Sequence, residues 1–120
     1  MSPVRRALAG EVLFVDLARE RETVQRELAS ATGRIARTLV KQGALRATLV
    51  ALKPGGELQE HTASGPITIH VLEGDMDVAA QGATHALSAG HLLSLDGGVP
   101  HSVSSSTGAM FLLTLVSRTD

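Results

Sequence analysis

The sequence contains no cysteine, tryptophan or tyrosine, and only two phenylalanines, Phe14 and Phe111. Without cysteine there are no disulfides, no thiolate metal ligands and no cysteine nucleophile. The lack of disulfides fits a cytoplasmic protein without requiring one. With so few rings, stacking on nucleic-acid bases or sugars has almost nothing to use. A formal net charge of −1 is too near neutral for a nucleic-acid or anionic-membrane binder. Long apolar runs are missing too: Ala44–Leu52 and Ala109–Val116 fall short of the ~20 residues a helix needs to cross a bilayer. Arg5-Arg6 looks like the start of an export signal, but the apolar run behind it breaks at Gly10 and Glu11, so none is expected.

What is present describes one domain with one core, since 120 residues at 43% hydrophobic leave little room for two. Charge divides at Pro54. Residues 1–53 hold ten of the eleven basic residues and five acids, whereas 54–117 hold six acids (Glu57, Glu60, Glu73, Asp75, Asp77, Asp96) and no base. That polarity suits a basic layer packed beside an acidic one, or an acidic part that attracts a cation.

Glycine divides the chain in the same place. Nine of the twelve follow Pro54 and punctuate short β-prone runs: Ile67–Leu72, Asp75–Ala80, Leu92–Leu95, Val99–Ser104 and Ala109–Val116. Turns so closely spaced leave no room for helices and predict an antiparallel sandwich or barrel. Before Pro54, Asp16–Ala31 places Leu17, Val24, Leu28 and Ala31 on one helical stripe, with Asp16 as N-cap and Gly33 as stop. Glu11–Val15 reads as a short strand; Arg37–Val40 and Leu45–Leu52 read as two more around a Gln42-Gly43 turn. A jelly roll with an N-terminal extension fits these elements.

All five histidines, His61, His70, His85, His91 and His101, lie in the acidic β half. Imidazole is the commonest transition-metal ligand, and without cysteine a site for such a metal needs His and carboxylate. The ordinary fate of a single strand histidine is a surface or core position.

Two of the five sit in a pattern. Gly55, His61 and Gly74 fall in register with G-x5-H-x-H-x3–4-E-x6-G, and Gly90, Gly98 and His101 with G-x5-P-x-G-x2-H-x3-N. These are the two motifs of the cupin superfamily, which the chain from Lys53 to about Val116 resembles, in particular its small single-domain, RmlC-like members. The resemblance implies an all-β fold: a cupin-type double-stranded β-helix, or jelly-roll barrel, over residues 36–120, with a short strand and helix extension over 1–35 packing on it. Val71-Leu72-Glu73-Gly74 looks like the strand and hairpin turn typical of small cupins.

The departures bear on function. A cupin metal centre normally uses both His and the Glu of the first motif plus the His of the second. Here Ala63 and Ile67 occupy the second and third of those positions and bind no metal, while Asp96 and Ser105 replace the Pro and Asn of the second motif. His61 and His101 remain by direct carry-over. His70 is the leading candidate to join them. Simple alternation places it on the face opposite Ile67, Ile69 and Val71, and a bulge near Gly65-Pro66 would reverse that parity. His91 reads as a turn residue and His85 as an exposed strand residue. Glu57, Gln59 or Glu60 could supply an oxygen from the barrel mouth, although solvation is their ordinary role.

Other chemistries find no support. There is no Gly-x-Ser-x-Gly elbow, and Pro54-Gly55-Gly56 lacks the lysine and helix of a phosphate loop. Asp75 and Asp77 share a strand face after a turn, where solvation is the ordinary outcome of paired carboxylates; the arginines of helix 16–31 are interleaved with acids, so it reads as a solvated packing helix and not a groove reader. Two functions stay open. In one, a divalent transition metal (Fe, Mn, Ni, Zn or Cu) sits on His61 and His101, with or without His70. The resemblance then implies a small-molecule dioxygenase, isomerase or related activity, in an apolar pocket lined by Ile67, Ile69, Leu93, Val103, Phe111 and Leu113. In the other, the barrel is metal-free and non-enzymatic, a small-ligand binder, sensor or stress accessory. Small cupins generally self-associate. A homodimer is expected, with Glu11–Val15 able to add to a partner's sheet.

Overall fold

The computed structural model describes residues 6–118; Arg5 of the Arg5-Arg6 pair lies outside them. One helix, α1 (Leu17–Leu28), precedes eight strands: β1 (Arg34–Gln42), β2 (Leu45–Leu52), β3 (Gly56–His61), β4 (Ile67–Ala80), β5 (Ala83–Ser88), β6 (Leu92–Leu95), β7 (His101–Ser105) and β8 (Ala109–Val116). All pairings are antiparallel. One wall runs β1-β2-β8-β4-β6 and the other β5-β4-β7-β3, with β4 shared between them. The fold is the expected jelly roll.

β4 belongs to both walls because it bends without ending. Its register shifts between Val71 and Glu73, and Gly74 takes a φ of +78°. A Cβ at position 74 would lie 2.2 Å from the carbonyl oxygen of Gly108, so only glycine allows this approach. The hairpin expected at Val71–Gly74 is therefore corrected: Ile67–Leu72 and Asp75–Ala80 are halves of a single 14-residue strand.

Between the walls, alternate residues of β4, β7 and β8 bury Ile67, Ile69, Val71, Val78, Val103 and Phe111 in an inner cluster. The residues expected to line a pocket are among them, with Leu93 and Leu113 half-buried at the edge. A second cluster, of Leu39, Leu49, Ala51 and Met110, lies on the outer face and is covered by α1 through Val24, Leu17 and Leu28. Asp16 caps α1 by accepting the Arg19 N–H at 3.2 Å. The helix stops three residues short of Ala31, because Ala29, Ser30 and Ala31 donate back to the third preceding carbonyl and tighten the chain into a turn.

Arg37 of β1 anchors the helix by pairing with Glu20 and Glu27. The basic half thus neutralises part of its own charge. Arg21–Glu73 joins it to the acidic half at 3.5 Å. Asp75 and Asp77 have no basic partner among the described residues.

Glu11–Val15 is also corrected: Glu11 and Val12 lie in a bend, and residues 13–15 form no strand. Residues 6–10 lie along β1, where Leu8 accepts the Lys41 N–H at 2.8 Å and Gly10 donates to Gln42 Oε1 at 3.0 Å. Beyond Gly10 the chain bends and leads into α1, and among the described residues no strand pairs with it.

Candidate functional site

His61 ends β3 and His101 begins β7, and the two are direct cross-strand partners. Their parity depends on a bulge. From Leu58, opposite Val103, to His61, opposite His101, β3 advances three residues while β7 advances two. Leu58 and Val103 pack in the inner cluster. Strict alternation would put Glu60 on the Leu58 side and send His61 outward; the extra residue returns His61 to the side of Val103 and His101. The imidazole centroids are 4.4 Å apart, with the rings tilted by 58°.

Backbone carbonyls orient both rings. His61 Nδ1 lies 2.8 Å from the Gln59 oxygen, and His101 Nδ1 lies 2.9 Å from the Val99 oxygen. A carbonyl only accepts, so each Nδ1 carries a proton, which leaves Nε2 as the ring nitrogen able to offer a lone pair. Among the described residues neither Nε2 has a hydrogen-bond partner. No buried side-chain N or O is left without a partner among the described residues, so the Nε2 of His101, a residue only 3% exposed, still opens to solvent. His61 is exposed, beside a groove of about 610 Å³ lined by Arg34 and residues 57–61.

The other motif positions are apolar. Ile67 is buried in the inner cluster; Ala63 packs against it while its carbonyl accepts the Gly98 N–H at 2.9 Å. Among the described residues no group of three or more His, Asp or Glu is placed to hold a metal. The donor set is a pair of imidazoles.

The structure does not bring His70 to that pair. Ile67, Ile69 and Val71 are buried in the inner cluster, and His70 alternates with them, half-buried, facing outward beside its register partners Leu92 and Leu112. The bulge that reverses parity lies in β3, not at Gly65-Pro66. His91 is a turn residue whose Nδ1 accepts the Ser88 N–H at 3.0 Å. His85 is exposed on β5. Glu57, Gln59 and Glu60 are exposed, and of the three Gln59 contributes to the site through its carbonyl.

Ser105, at the family's Asn position, is buried and locks the turn before β8: its hydroxyl donates to the Asp75 carbonyl at 2.6 Å and accepts the Gly108 N–H at 2.9 Å. Asp96, at the Pro position, accepts the Gly97 N–H at 2.8 Å. The orienting carbonyls of Gln59 and Val99 were not legible by residue type. Their signal is positional: each stands two residues before its histidine, and Pro100 constrains the backbone between Val99 and His101.

A Cupin domain model matches residues 48–116. No protein of curated function matches the sequence. A conserved protein of unknown function from Streptococcus pyogenes is 21% identical over 100% of this chain and 98% of its own, with a TM-score of 0.72. An RmlC-like cupin from Shewanella frigidimarina is 22% identical over 76% of this chain and 82% of its own, with a TM-score of 0.69. Salicylate 1,2-dioxygenase from Pseudoaminobacter salicylatoxidans, in a structure with gentisate, is 19% identical over 93% of this chain but 35% of its own, with a TM-score of 0.79. At these identities the likeness is one of fold. With the model spanning more than half of the sequence, and with both walls of the jelly roll in place, the chain belongs to the cupin domain family.

Proposed function

We propose that the protein is a small-molecule-binding cupin in which His61 and His101 hold a divalent transition metal ion, one of Fe, Mn, Ni, Zn or Cu. The observation that carries this reading is the pair of carbonyl-anchored imidazoles 4.4 Å apart. Two neighbouring imidazoles are donors that these ions accept, and they would hold the ion through nitrogen. Hydrogen bonding at Nδ1 is also the usual way in which a protein fixes a ligating histidine and raises its basicity.

Each residue has a role in that reading. Buried His101 gives a rigid donor, and exposed His61 gives one that the groove can reach. Ala63 and Ile67 offer no donor, so the remaining positions stay open to water or to a small molecule, and Ile67 packs in the apolar inner cluster. When bound, the ion supplies Lewis acidity toward an oxygen of that molecule. Elemental analysis and metal titration of protein purified without an affinity tag test the reading: binding at one ion per chain is expected, and no metal above background with none gained on titration would end it.

The second reading, a metal-free small-ligand binder, sensor or stress accessory, is favoured by the apolar side chains at 63 and 67. A His61→Ala/His101→Ala variant that folds and keeps full biological activity supports it; complete loss of activity in the folded variant opposes it. Under either reading we place the protein in the cytoplasm as a homodimer. The absence of cysteine agrees with that compartment, and no helix among the described residues is long and apolar enough to cross a membrane.

A further inference from the structure

Asp96 stands where the second family motif carries proline, and Gly97 and Gly98 follow it in the turn between β6 and β7. The Val99 N–H approaches the Asp96 carbonyl at 3.4 Å, and the Gly98 N–H donates to the Ala63 carbonyl at 2.9 Å. Gly98 has a φ of +79°, the left-handed value that a type II turn requires at its third residue. Gly97 is required for a different reason. A Cβ there would lie 2.9 Å from the Gly65 Cα, so a side chain at this position would displace backbone. The Gly97 N–H donates to Asp96 Oδ1 at 2.8 Å and, among the described residues, to no backbone carbonyl. The Asp96 carboxyl carbon is one bond from that oxygen. Its side chain is 77% exposed and meets Arg118, itself 65% exposed, at 3.7 Å, too loose a pairing to fix it.

We propose that Asp96-Gly97 is a site of spontaneous isoaspartate formation, and that the rearranged turn disturbs the setting of His101. The Gly97 backbone nitrogen attacks Cγ of the protonated Asp96 carboxyl; a C–N bond forms, and the N–H proton and the carboxyl hydroxyl leave together as one water. The product is a five-membered imide. Water reopens it at either carbonyl. Cleavage of the new bond restores aspartate, whereas cleavage of the original peptide bond leaves the main chain running through Cβ and Cγ, with the α-carboxylate free. Nothing is oxidised or reduced, and the mass returns to its starting value. The attack needs a nitrogen with no side chain beside it, an amide outside any ladder and a carboxyl free to turn. Asp75 and Asp77 precede Met76 and Val78, which are paired within the sheet. Asp16 precedes the first residue of α1, and its carboxylate is engaged by the Arg19 N–H. Asp96 alone of the four meets all three conditions. Its isoaspartyl form adds one backbone atom directly ahead of Gly97, and two residues later stands Val99, whose carbonyl orients His101 at 2.9 Å. The rearrangement does not depend on whether the imidazole pair binds an ion.

Peptide mapping with electron-transfer fragmentation tests this on folded wild type and Asp96→Glu, each held for weeks near neutral pH, with circular dichroism to confirm folding. In the wild type, isoaspartate is expected at position 96 at a level at least about tenfold above that at Asp16, Asp75 or Asp77. It should vanish from that position in Asp96→Glu, whose longer side chain would have to close a six-membered ring. Should Asp96→Glu fail to fold, the comparison among the four wild-type aspartates decides alone. The nuclear magnetic resonance spectrum of the aged wild type should show a second His101 ring signal in proportion to the isoaspartate. Folded wild type with no more isoaspartate at 96 than at the other three positions, or a rearranged residue 96 formed equally fast in Asp96→Glu, would overturn the site. A His101 signal that stays single while isoaspartate accumulates would overturn its link to the imidazole pair.

Discussion

His61 and His101 face each other across neighbouring strands with ring centres 4.4 Å apart, although forty residues separate them in sequence. The juxtaposition depends on the bulge that absorbs one extra residue in β3. Deleting Glu60 removes the bulge and leaves His61 two residues after Leu58, on the side of Val103 and His101 by plain alternation, so the imidazole pair should survive. The expected outcome is a folded protein that still binds a divalent transition metal. Metal titration beside a circular dichroism spectrum checks it; loss of binding in a folded deletion would show that parity alone does not set the site.

Ile67 stands where the family carries a glutamate, inside the inner cluster. Ile67→Glu buries a carboxylate among apolar side chains, so without metal the variant should lose several kcal/mol of stability. If His61 and His101 hold an ion nearby, the carboxylate becomes a third ligand. Added metal should then raise the melting temperature of the variant by more than that of the wild type. Thermal denaturation with and without metal measures both effects.

Gly74 lets β4 cross from one wall to the other, at a positive φ and in close approach to Gly108. Gly74→Ala puts a methyl group into that contact and strains the backbone, and should cost about 2 kcal/mol or more. Gly82, also at positive φ but with open space around its Cα, should tolerate alanine better, at about 1–2 kcal/mol. Equal losses in urea denaturation would count against the close approach as the cause.

Asp16→Ala removes the side-chain acceptor for the Arg19 N–H at the start of α1. A loss of about 1 kcal/mol in overall stability is expected. Metal titration should be unaffected, because α1 packs on the outer cluster and not on the imidazole pair.

The barrel was legible because glycines in the second half leave only strand-length segments between turns, and α1 because Leu17, Val24 and Leu28 share one stripe. What failed was local. Gly74 reads as a hairpin turn, since a glycine just after the strand-prone run Ile67–Leu72 gives the same signal whether the chain reverses or bends; only the contact with Gly108, 34 residues away, separates the two. Glu11–Val15 alternates like a strand, yet a strand requires a neighbour, and none pairs with it in the single chain. At the site, His61 and His101 were legible by register with the two motifs. The bulge and the carbonyls of Gln59 and Val99 were not, because backbone geometry at Gln59–Glu60 leaves no mark on residue type.

The central claim is that two imidazoles share one ion, and copper(II) electron paramagnetic resonance counts nitrogen donors directly. One equivalent of copper(II) added to the wild type should give a single bound species with hyperfine coupling from two imidazole nitrogens, reduced to one in either His61→Ala or His101→Ala. A wild-type spectrum of free copper, or one unchanged by both substitutions, would contradict the shared site.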